Sequence, residues 1–171
     1  MRRSARFARL FPDEELASIF ELDPSRLKAA GKRGIIFDLD NTLGPRGAQE
    51  LDGAVLELLD RLRAKGLLIG ILSNDEGLTR GGLRAGLEGY PIYFDARKPR
   101  RQGFRQLLRE MALKPEEAVM VGDNLFTDIW GAKRLGLYAI LVSPFDPREP
   151  FHIRLVRLAA RMILSLRRLL V

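Results

Sequence analysis

The chain has 171 residues, of which 46% are hydrophobic and 30% charged, and this is typical of one globular domain that folds on its own. It contains no cysteine and a single histidine, His152. Disulfides, thiolate zinc sites, cysteine nucleophiles and sites with two histidine ligands are therefore excluded within one chain. Catalysis is left chiefly to carboxylates, hydroxyls and lysines.

The net charge of +7 is concentrated at the two ends of the chain. Residues 1–10 contain four arginines and no acid, and residues 151–171 contain five arginines and no acid. Residues 11–150 carry 20 basic and 22 acidic side chains, a net charge of −2. Basic ends of this kind bind nucleic acid or an anionic membrane surface, or are simply solvated.

Along the chain, short helical patterns come first, followed by alternating strands and helices. Two short helices are predicted between Asp13 and Ala30, the second capped by Asp23 and followed by Gly31. Strand-like apolar runs then occupy 34–39, 67–72, 91–94, 118–122 and 138–142, with helical patterns at 51–65, 76–88, 100–112 and 126–135. This alternation predicts an α/β fold with a parallel sheet that binds ligands at the carboxyl ends of its strands.

The chain also lacks the sequence features of a membrane span or a secretory signal. No window contains 18 consecutive apolar residues, and no early apolar run follows the N-terminal arginines. We therefore expect a cytoplasmic protein, either free or peripheral to the inner face of a membrane.

Acidic side chains follow the first and fourth predicted strands. Asp38 and Asp40 lie two residues apart, so on an extended chain they project to the same side. Such a pair is tolerated when a cation or a proton neutralises one member, which suits a nucleophile or metal ligand beside a general acid/base. Asp123 would complete an oxygen site for Mg²⁺. Alternatively, these are Asp-rich turns, with Asp128 merely capping the next helix.

Polar residues also follow the second and third predicted strands. Ser73 and Asn74 precede a helical pattern whose N-terminus would attract phosphate, although both are ordinary helix caps. Lys98 is followed by Pro99, which keeps it out of a helix and within reach of a phosphate. A solvated basic face is the alternative for Lys98. Four such signals at four successive strand ends favour one shared site.

The four segments occur in an order that resembles the motifs of the haloacid dehalogenase superfamily. The matching segments are D-x-D-N-T-L at 38–43, Ser73, the pair Lys98-Pro99, and G-D-x-x-x-T-D at 122–128. The resemblance covers about residues 33–143. It implies a Rossmannoid three-layer α/β/α sandwich with a parallel five-stranded sheet of order 5-4-1-2-3.

The resemblance also implies roles for these residues in a Mg²⁺-dependent phosphatase. Asp38 would be the nucleophile that forms an aspartyl-phosphate, and Asp40 the general acid/base. Mg²⁺ would be held by the Asp38 carboxylate, the Asp40 backbone carbonyl and Asp123, with Asp128 supporting these ligands from outside. The phosphoryl group would be bound by Ser73, Asn74, Lys98 and Thr42. Thr42 would also brace the loop, and Lys98 would also act in catalysis by neutralising developing charge.

The spacing of the motifs leaves no room for the cap domain that many superfamily members carry. Only 32 residues separate Asp40 from Ser73, and 24 separate Ser73 from Lys98. We therefore expect an open site that admits a large substrate. The predicted organisation is an N-terminal basic segment with short helices at 1–32, a phosphatase core at 33–146 and a C-terminal basic amphipathic helix at 147–171.

Further segments resemble the YqeG family, which is related to mitochondrial and plastid phosphatases of phosphatidylglycerophosphate. These are F-P-D-E at 11–14, A-R-K-P at 96–99 and V-G-D-N-L-F-T-D-I-W-G-A at 121–132. The resemblance implies a lipid phosphate monoester as substrate. A soluble phosphatase acting on nucleotides, sugar phosphates or nucleic-acid ends is the alternative.

The C-terminal segment bears on the same choice. A helix over 151–170 would align Arg154, Arg157, Arg161 and Arg168 beside a broad apolar face, which suits an anionic bilayer interface. Packing of that face on the domain or on a second subunit is equally compatible with the pattern. A nucleic-acid-binding protein that uses its basic ends is a third reading, which the scarcity of aromatic residues in those ends disfavours.

Overall fold

The computed structural model describes residues 11–76, 83 and 86–146. Within these residues the strands are β1 (Glu14–Leu16), β2 (Gly34–Phe37), β3 (Leu68–Leu72), β4 (Ile92–Tyr93), β5 (Ala118–Gly122) and β6 (Tyr138–Val142). The α-helices are α1 (Pro24–Ala29), α2 (Gly53–Ala64), α3 (Arg101–Glu110) and α4 (Trp130–Lys133). Single turns of 3₁₀ helix lie at Ile19–Glu21 and Pro115–Glu117, and a π-helical turn at Leu125–Ile129. The helix predicted at 151–170 and much of the one predicted at 76–88 lie outside the described residues.

The sheet is parallel, with the order β1-β6-β5-β2-β3-β4. The last five strands have the predicted order 5-4-1-2-3, which is thereby confirmed. The predicted count of five was wrong, because β1 adds a sixth strand at the edge beside β6. The sequence had suggested two helices between Asp13 and Ala30, but the first is only a 3₁₀ turn that follows β1.

The extra strand is explained by its neighbour rather than by its own sequence. The edge of β6 offers unpaired backbone groups, and Asp13 forms two hydrogen bonds with Ala139 at that edge. The Asp13 N–H donates to the Ala139 carbonyl at 2.8 Å, and the Ala139 N–H donates to Asp13 Oδ2, also at 2.8 Å. Lys133 Nζ then holds Asp13 Oδ1 at 2.6 Å. Pairing with a neighbouring strand therefore outweighs the weak helical preference of this segment.

Helices cover both faces of the sheet, which is why the central strands are continuous apolar runs. All four residues of β2 are buried. Ile35 and Phe37 belong to a core shared with α2, whereas Ile36 packs in a second core with Phe104 of α3. The central strands are thereby fixed on both sides, and the loops at their carboxyl ends have a rigid base.

The connections that follow β2 and β5 shape this end of the sheet. Residues 41–72 comprise only a loop, α2 and β3, as the motif spacing predicted. The helix predicted at 126–135 is divided into the π-helical turn and α4, and such wide turns are frequent at functional sites. Among the described residues, no helix has the length and hydropathy needed to cross a bilayer.

Candidate active site

A cavity of about 210 Å³ opens where the carboxyl ends of β2 and β5 meet. Its lining residues are Asp38, Asp40, Arg46, Asn74, Lys98, Asp123, Asn124, Thr127 and Asp128. Six of the eight predicted site residues are among them. The other two, Thr42 and Ser73, are buried and support residues of the cavity rather than lining it.

The sheet brings the two acidic segments together because β2 and β5 are neighbours. Phe37 is in register with Val121, and the Asp38 N–H donates to the Val121 carbonyl at 2.9 Å. Asp38 and Asp123 therefore leave adjacent strands within one residue of the same level. With Asp128 they form a buried cluster in which one carboxylate oxygen from each lies within 4.8 Å of the others. Such an oxygen-only donor set fits Mg²⁺, which prefers hard ligands.

The ammonium group of Lys98 contacts two carboxylates of this cluster. Its Nζ forms a short ion pair with Asp38 Oδ1 and a second one with Asp128 Oδ1 at 2.7 Å. Burial acts to lower the pKa of Lys98, but attraction to Asp128 and Asp38 outweighs it and raises the pKa. The site therefore contains a permanent positive charge in contact with the Asp38 carboxylate.

Asp38 is held through both carboxylate oxygens. Oδ1 accepts from Lys98, and Oδ2 accepts the Thr42 hydroxyl at 3.2 Å. Burial raises the pKa of Asp38 to about 6; Lys98 opposes this rise and the charge of Asp128 adds to it. Asp38 is thus a poorly hydrated carboxylate with a fixed orientation, as a nucleophile requires.

Asp128 accepts hydrogen bonds from its own chain at both oxygens. Oδ1 accepts from Lys98 at 2.7 Å and from the Thr127 hydroxyl at 3.3 Å, and Oδ2 accepts the Asn124 N–H at 3.1 Å. Burial raises the pKa of Asp128, and the nearby Asp123 reinforces the effect although Lys98 counters it. A side chain at Gly122 would collide with Asp128, because a Cβ there would lie 2.6 Å from its Oδ2. Glycine at the end of β5 therefore allows the π-helical turn to reach the cluster.

Asn74 and Ser73 contact the segment that carries Lys98. Asn74 Oδ1 accepts the Lys98 N–H at 2.6 Å, and Asn74 Nδ2 donates to the Lys98 carbonyl at 3.2 Å. The backbone carbonyl of Ser73 accepts the Ala96 N–H at 2.9 Å, and the Ser73 hydroxyl accepts the Asp75 N–H at 3.1 Å. These contacts position Lys98, a role that the sequence had not suggested. The predicted contact of both residues with phosphate stays a prediction.

The loop after β2 brings a further cation to the cavity. Asp40 Oδ1 accepts the Gly47 N–H at 3.0 Å. The Ala48 N–H donates to the Pro45 carbonyl at 3.0 Å, and Gly47 has a φ of +76°, so residues 45–48 form a tight turn with Arg46 near its apex. Sequence reasoning overlooked Arg46. The signal was available, because G-P-R-G at 44–47 is a turn sequence that begins four residues after Asp40.

Comparison with known proteins agrees with this geometry. Residues 44–136 match the family described as "Hydrolase: haloacid dehalogenase-like hydrolase". A protein of Bacillus subtilis (strain 168) named "Probable phosphatase YqeG" is 36% identical over 154 residues, which are 90% of this chain and 89% of the relative. The chain belongs to the haloacid dehalogenase-like hydrolases.

A second relative is longer than this chain. The "Phosphatidylglycerophosphate phosphatase 1, chloroplastic" of Chlamydomonas reinhardtii is 33% identical over 148 residues, covering 81% of this chain and 55% of the algal protein. Among solved structures, an uncharacterized protein from Listeria monocytogenes serotype 4b aligns with a TM-score of 0.53 at 25% identity, covering 69% of this chain and 85% of that one. The family match and the named relatives identify this haloacid dehalogenase-like chain as a phosphatase.

Proposed function

We propose that this phosphatase hydrolyses a phosphate monoester through an aspartyl-phosphate on Asp38, depends on Mg²⁺, and has phosphatidylglycerophosphate as its substrate. The observation that carries the mechanism is the fixed contact of Asp38 with Lys98 and Thr42 inside the buried acidic cluster. The lipid substrate is supported by the similarity to the algal enzyme and by the short connection of residues 41–72, which adds only a loop, α2 and β3 beside the cavity.

In the first step, an Asp38 oxygen attacks phosphorus and the bond from phosphorus to the leaving alkoxide oxygen breaks. Asp40, two residues away and half-buried, donates a proton to that oxygen so that an alcohol leaves. Lys98 keeps its positive charge throughout and stabilises the negative charge that accumulates between Asp38 and the phosphoryl oxygens. The product of this step is a phosphoryl group esterified to Asp38.

In the second step, water attacks phosphorus and the bond to Asp38 breaks. Asp40, now a carboxylate, takes the proton of the water, so inorganic phosphate is released and both aspartates return to their starting states. The hydrogen bond between Asp40 Oδ1 and the Gly47 N–H fixes the side chain that must act in both directions.

The metal proposal assigns different roles to the three buried carboxylates. Asp38 and Asp123 would hold Mg²⁺ together with the Asp40 backbone carbonyl. Asp128 would orient Lys98, because its Oδ1 pairs with the Lys98 ammonium at 2.7 Å while its Oδ2 is held by the Asn124 N–H. When bound, Mg²⁺ supplies positive charge that offsets the repulsion between carboxylates and phosphate.

The proposed site of action is the cytoplasmic face of a membrane. The arginines and apolar residues of 151–171 suit an anionic bilayer surface, and an open site can accept a head group that stays attached to the bilayer. Removing residues 151–171 should then reduce flotation of the protein with anionic liposomes. Unchanged flotation would contradict the membrane part of the proposal.

The deciding experiment measures phosphate release from a panel of monoesters. The panel contains phosphatidylglycerophosphate in mixed micelles, nucleotides, sugar phosphates and an aryl phosphate, each with Mg²⁺. We expect the highest kcat/KM with the lipid and complete loss with every substrate in Asp38→Asn, whose folding is checked by circular dichroism. Activity retained by Asp38→Asn would refute the mechanism, and a preference for a soluble monoester would refute only the lipid substrate.

A further inference from the structure

The cavity holds two cationic side chains of the described residues, and they differ in environment. Lys98 is buried and paired with Asp38 and Asp128. Arg46 is exposed, and none of the described carboxylates forms an ion pair with its guanidinium. The charge of Lys98 is thus balanced by the carboxylates of Asp38 and Asp128. The charge of Arg46 is not balanced by any described carboxylate and can pair with an anionic ligand in the cavity.

The turn that carries Arg46 determines which part of a substrate Arg46 faces. Gly47, the next residue, donates its N–H to Asp40 Oδ1. In the proposed mechanism Asp40 protonates the leaving oxygen, so the alcohol of the substrate lies beside Asp40. Arg46 therefore lines the leaving-group side of the cavity, while Lys98 faces the phosphoryl oxygens through its contact with Asp38.

We propose that Arg46 is a specificity residue that binds a second anionic group on the alcohol of the substrate. This inference rests on the proposed function and deepens it. The substrate class is a phosphate monoester whose alcohol also carries a phosphodiester or a second phosphate a few bonds away. A guanidinium suits this task because it binds phosphate oxygens in a bidentate manner and stays charged at any working pH.

Phosphatidylglycerophosphate belongs to this class. Its leaving group is phosphatidylglycerol, in which one glycerol separates the hydrolysed monoester from a phosphodiester. The deacylated head group, glycerophosphoglycerol phosphate, carries the same two anions without a lipid. The shared chemistry therefore comes from two sources, a lipid or a soluble compound, and substrates can be chosen to separate them.

The test uses two matched pairs of substrates. The lipid pair is phosphatidylglycerophosphate and phosphatidic acid with the same acyl chains in the same micelles, and the soluble pair is glycerophosphoglycerol phosphate and glycerol 3-phosphate. In each pair only the first compound has the second anion. We expect Arg46→Ala to lower kcat/KM for the two-anion member by about tenfold or more beyond its effect on the one-anion member. Arg46→Lys should fall between Arg46→Ala and the native chain.

Controls separate this inference from the mechanism. Arg61→Ala removes one positive charge from an exposed position on α2 that does not line the cavity, and it should leave the ratio within each pair unchanged. An equal loss for both members in Arg46→Ala, or no loss, would overturn the role of Arg46. Asp38→Asn tests the mechanism independently, since it should abolish turnover of all four substrates. Selectivity confined to the soluble pair would support Arg46 and overturn the lipid substrate.

Discussion

The amide of Asn74 brackets the backbone of Lys98, accepting its N–H at 2.6 Å and donating to its carbonyl at 3.2 Å. The segment it holds is irregular, since Asp95 and Arg97 have φ values of +46° and +50°. One side chain therefore fixes the residue whose ammonium lies between Asp38 and Asp128. Asn74 follows β3 and Lys98 follows β4, so this contact also joins the ends of two neighbouring strands.

The first prediction concerns the two hydrogen bonds between the Asn74 side chain and the Lys98 backbone. Asn74→Ala removes both hydrogen bonds, and displacement of Lys98 by a fraction of an ångström should lower kcat by about 10- to 100-fold. Asn74→Asp keeps the acceptor for the Lys98 N–H but replaces the donor with a charged oxygen that faces the Lys98 carbonyl, so its kcat should also fall below that of the native chain. Steady-state kinetics on an aryl phosphate, with thermal unfolding in parallel, makes the comparison.

A positioning role is distinguished from phosphate binding by the way the two constants change. If Asn74 acts through Lys98, kcat falls more than KM rises, and inhibition by inorganic phosphate weakens little. A large rise in KM with an unchanged kcat would instead assign Asn74 to direct phosphate contact and contradict the positioning role.

The second prediction concerns the buried charges. Lys98→Met leaves Asp38 and Asp128 without their cation, and breaking such a pair should cost about 3–5 kcal/mol of unfolding free energy. Adding Asp128→Asn removes one of the two buried carboxylates that lost their cation. The double variant should therefore be more stable than Lys98→Met alone. Urea denaturation with EDTA present measures this, and simple additivity of the two substitutions would contradict the coupling.

The sequence predicted those parts of the fold that depend on local pattern. The central strands, their order and the positions of Asp38, Asn74, Lys98 and Asp123 at their ends follow from apolar runs, turn residues and motif resemblance. The sequence did not predict elements that form only through contacts with residues far away in the chain. The strand β1 forms because β6 offers an open edge, and neither element shows this alone.

The candidate site shows the same division between residue identity and residue role. The motif resemblance identified Ser73 and Thr42 and gave Thr42 a bracing role, but it did not indicate that Ser73 would be buried and would support other residues rather than line the cavity. It also overlooked Arg46, since the motifs of a family indicate shared chemistry and not the cations that face a particular leaving group. Such roles depend on hydrogen bonds between loops that are far apart in the chain.

The third prediction concerns the glycine at the end of β5. In Gly122→Ala the new Cβ would lie 2.6 Å from both Cβ and Oδ2 of Asp128, so the π-helical turn must shift. Because that shift moves Asp128 away from Lys98, we expect a lower melting temperature and a drop in kcat of about tenfold or more.

A matched glycine controls for the added methyl group. Gly53 starts α2, and a Cβ there would meet no atom within 4 Å. Gly53→Ala should leave kcat unchanged and keep or raise stability, because alanine is the better helix former. If Gly122→Ala behaved like Gly53→Ala, the close approach of Asp128 to the strand would not matter for activity.

The last prediction concerns pH and metal. The folded pKa of Asp38 is about 6 and its ordinary value is 3.8, so between these values the folded protein binds more protons than the unfolded chain. Stability from this group therefore rises as pH falls through 6, and Asp128 shifts in the same direction. In EDTA we expect a higher melting temperature at about pH 5.5 than at about pH 7.5. Asp38→Asn should flatten this dependence.

Mg²⁺ should reverse the trend, because its ligands must be ionised to bind it. Adding Mg²⁺ should raise the melting temperature more at about pH 7.5 than at about pH 5.5. Asp123→Asn, which removes a proposed ligand, should weaken that rise. A rise of equal size at both pH values would mean that Mg²⁺ stabilises the protein without binding these carboxylates.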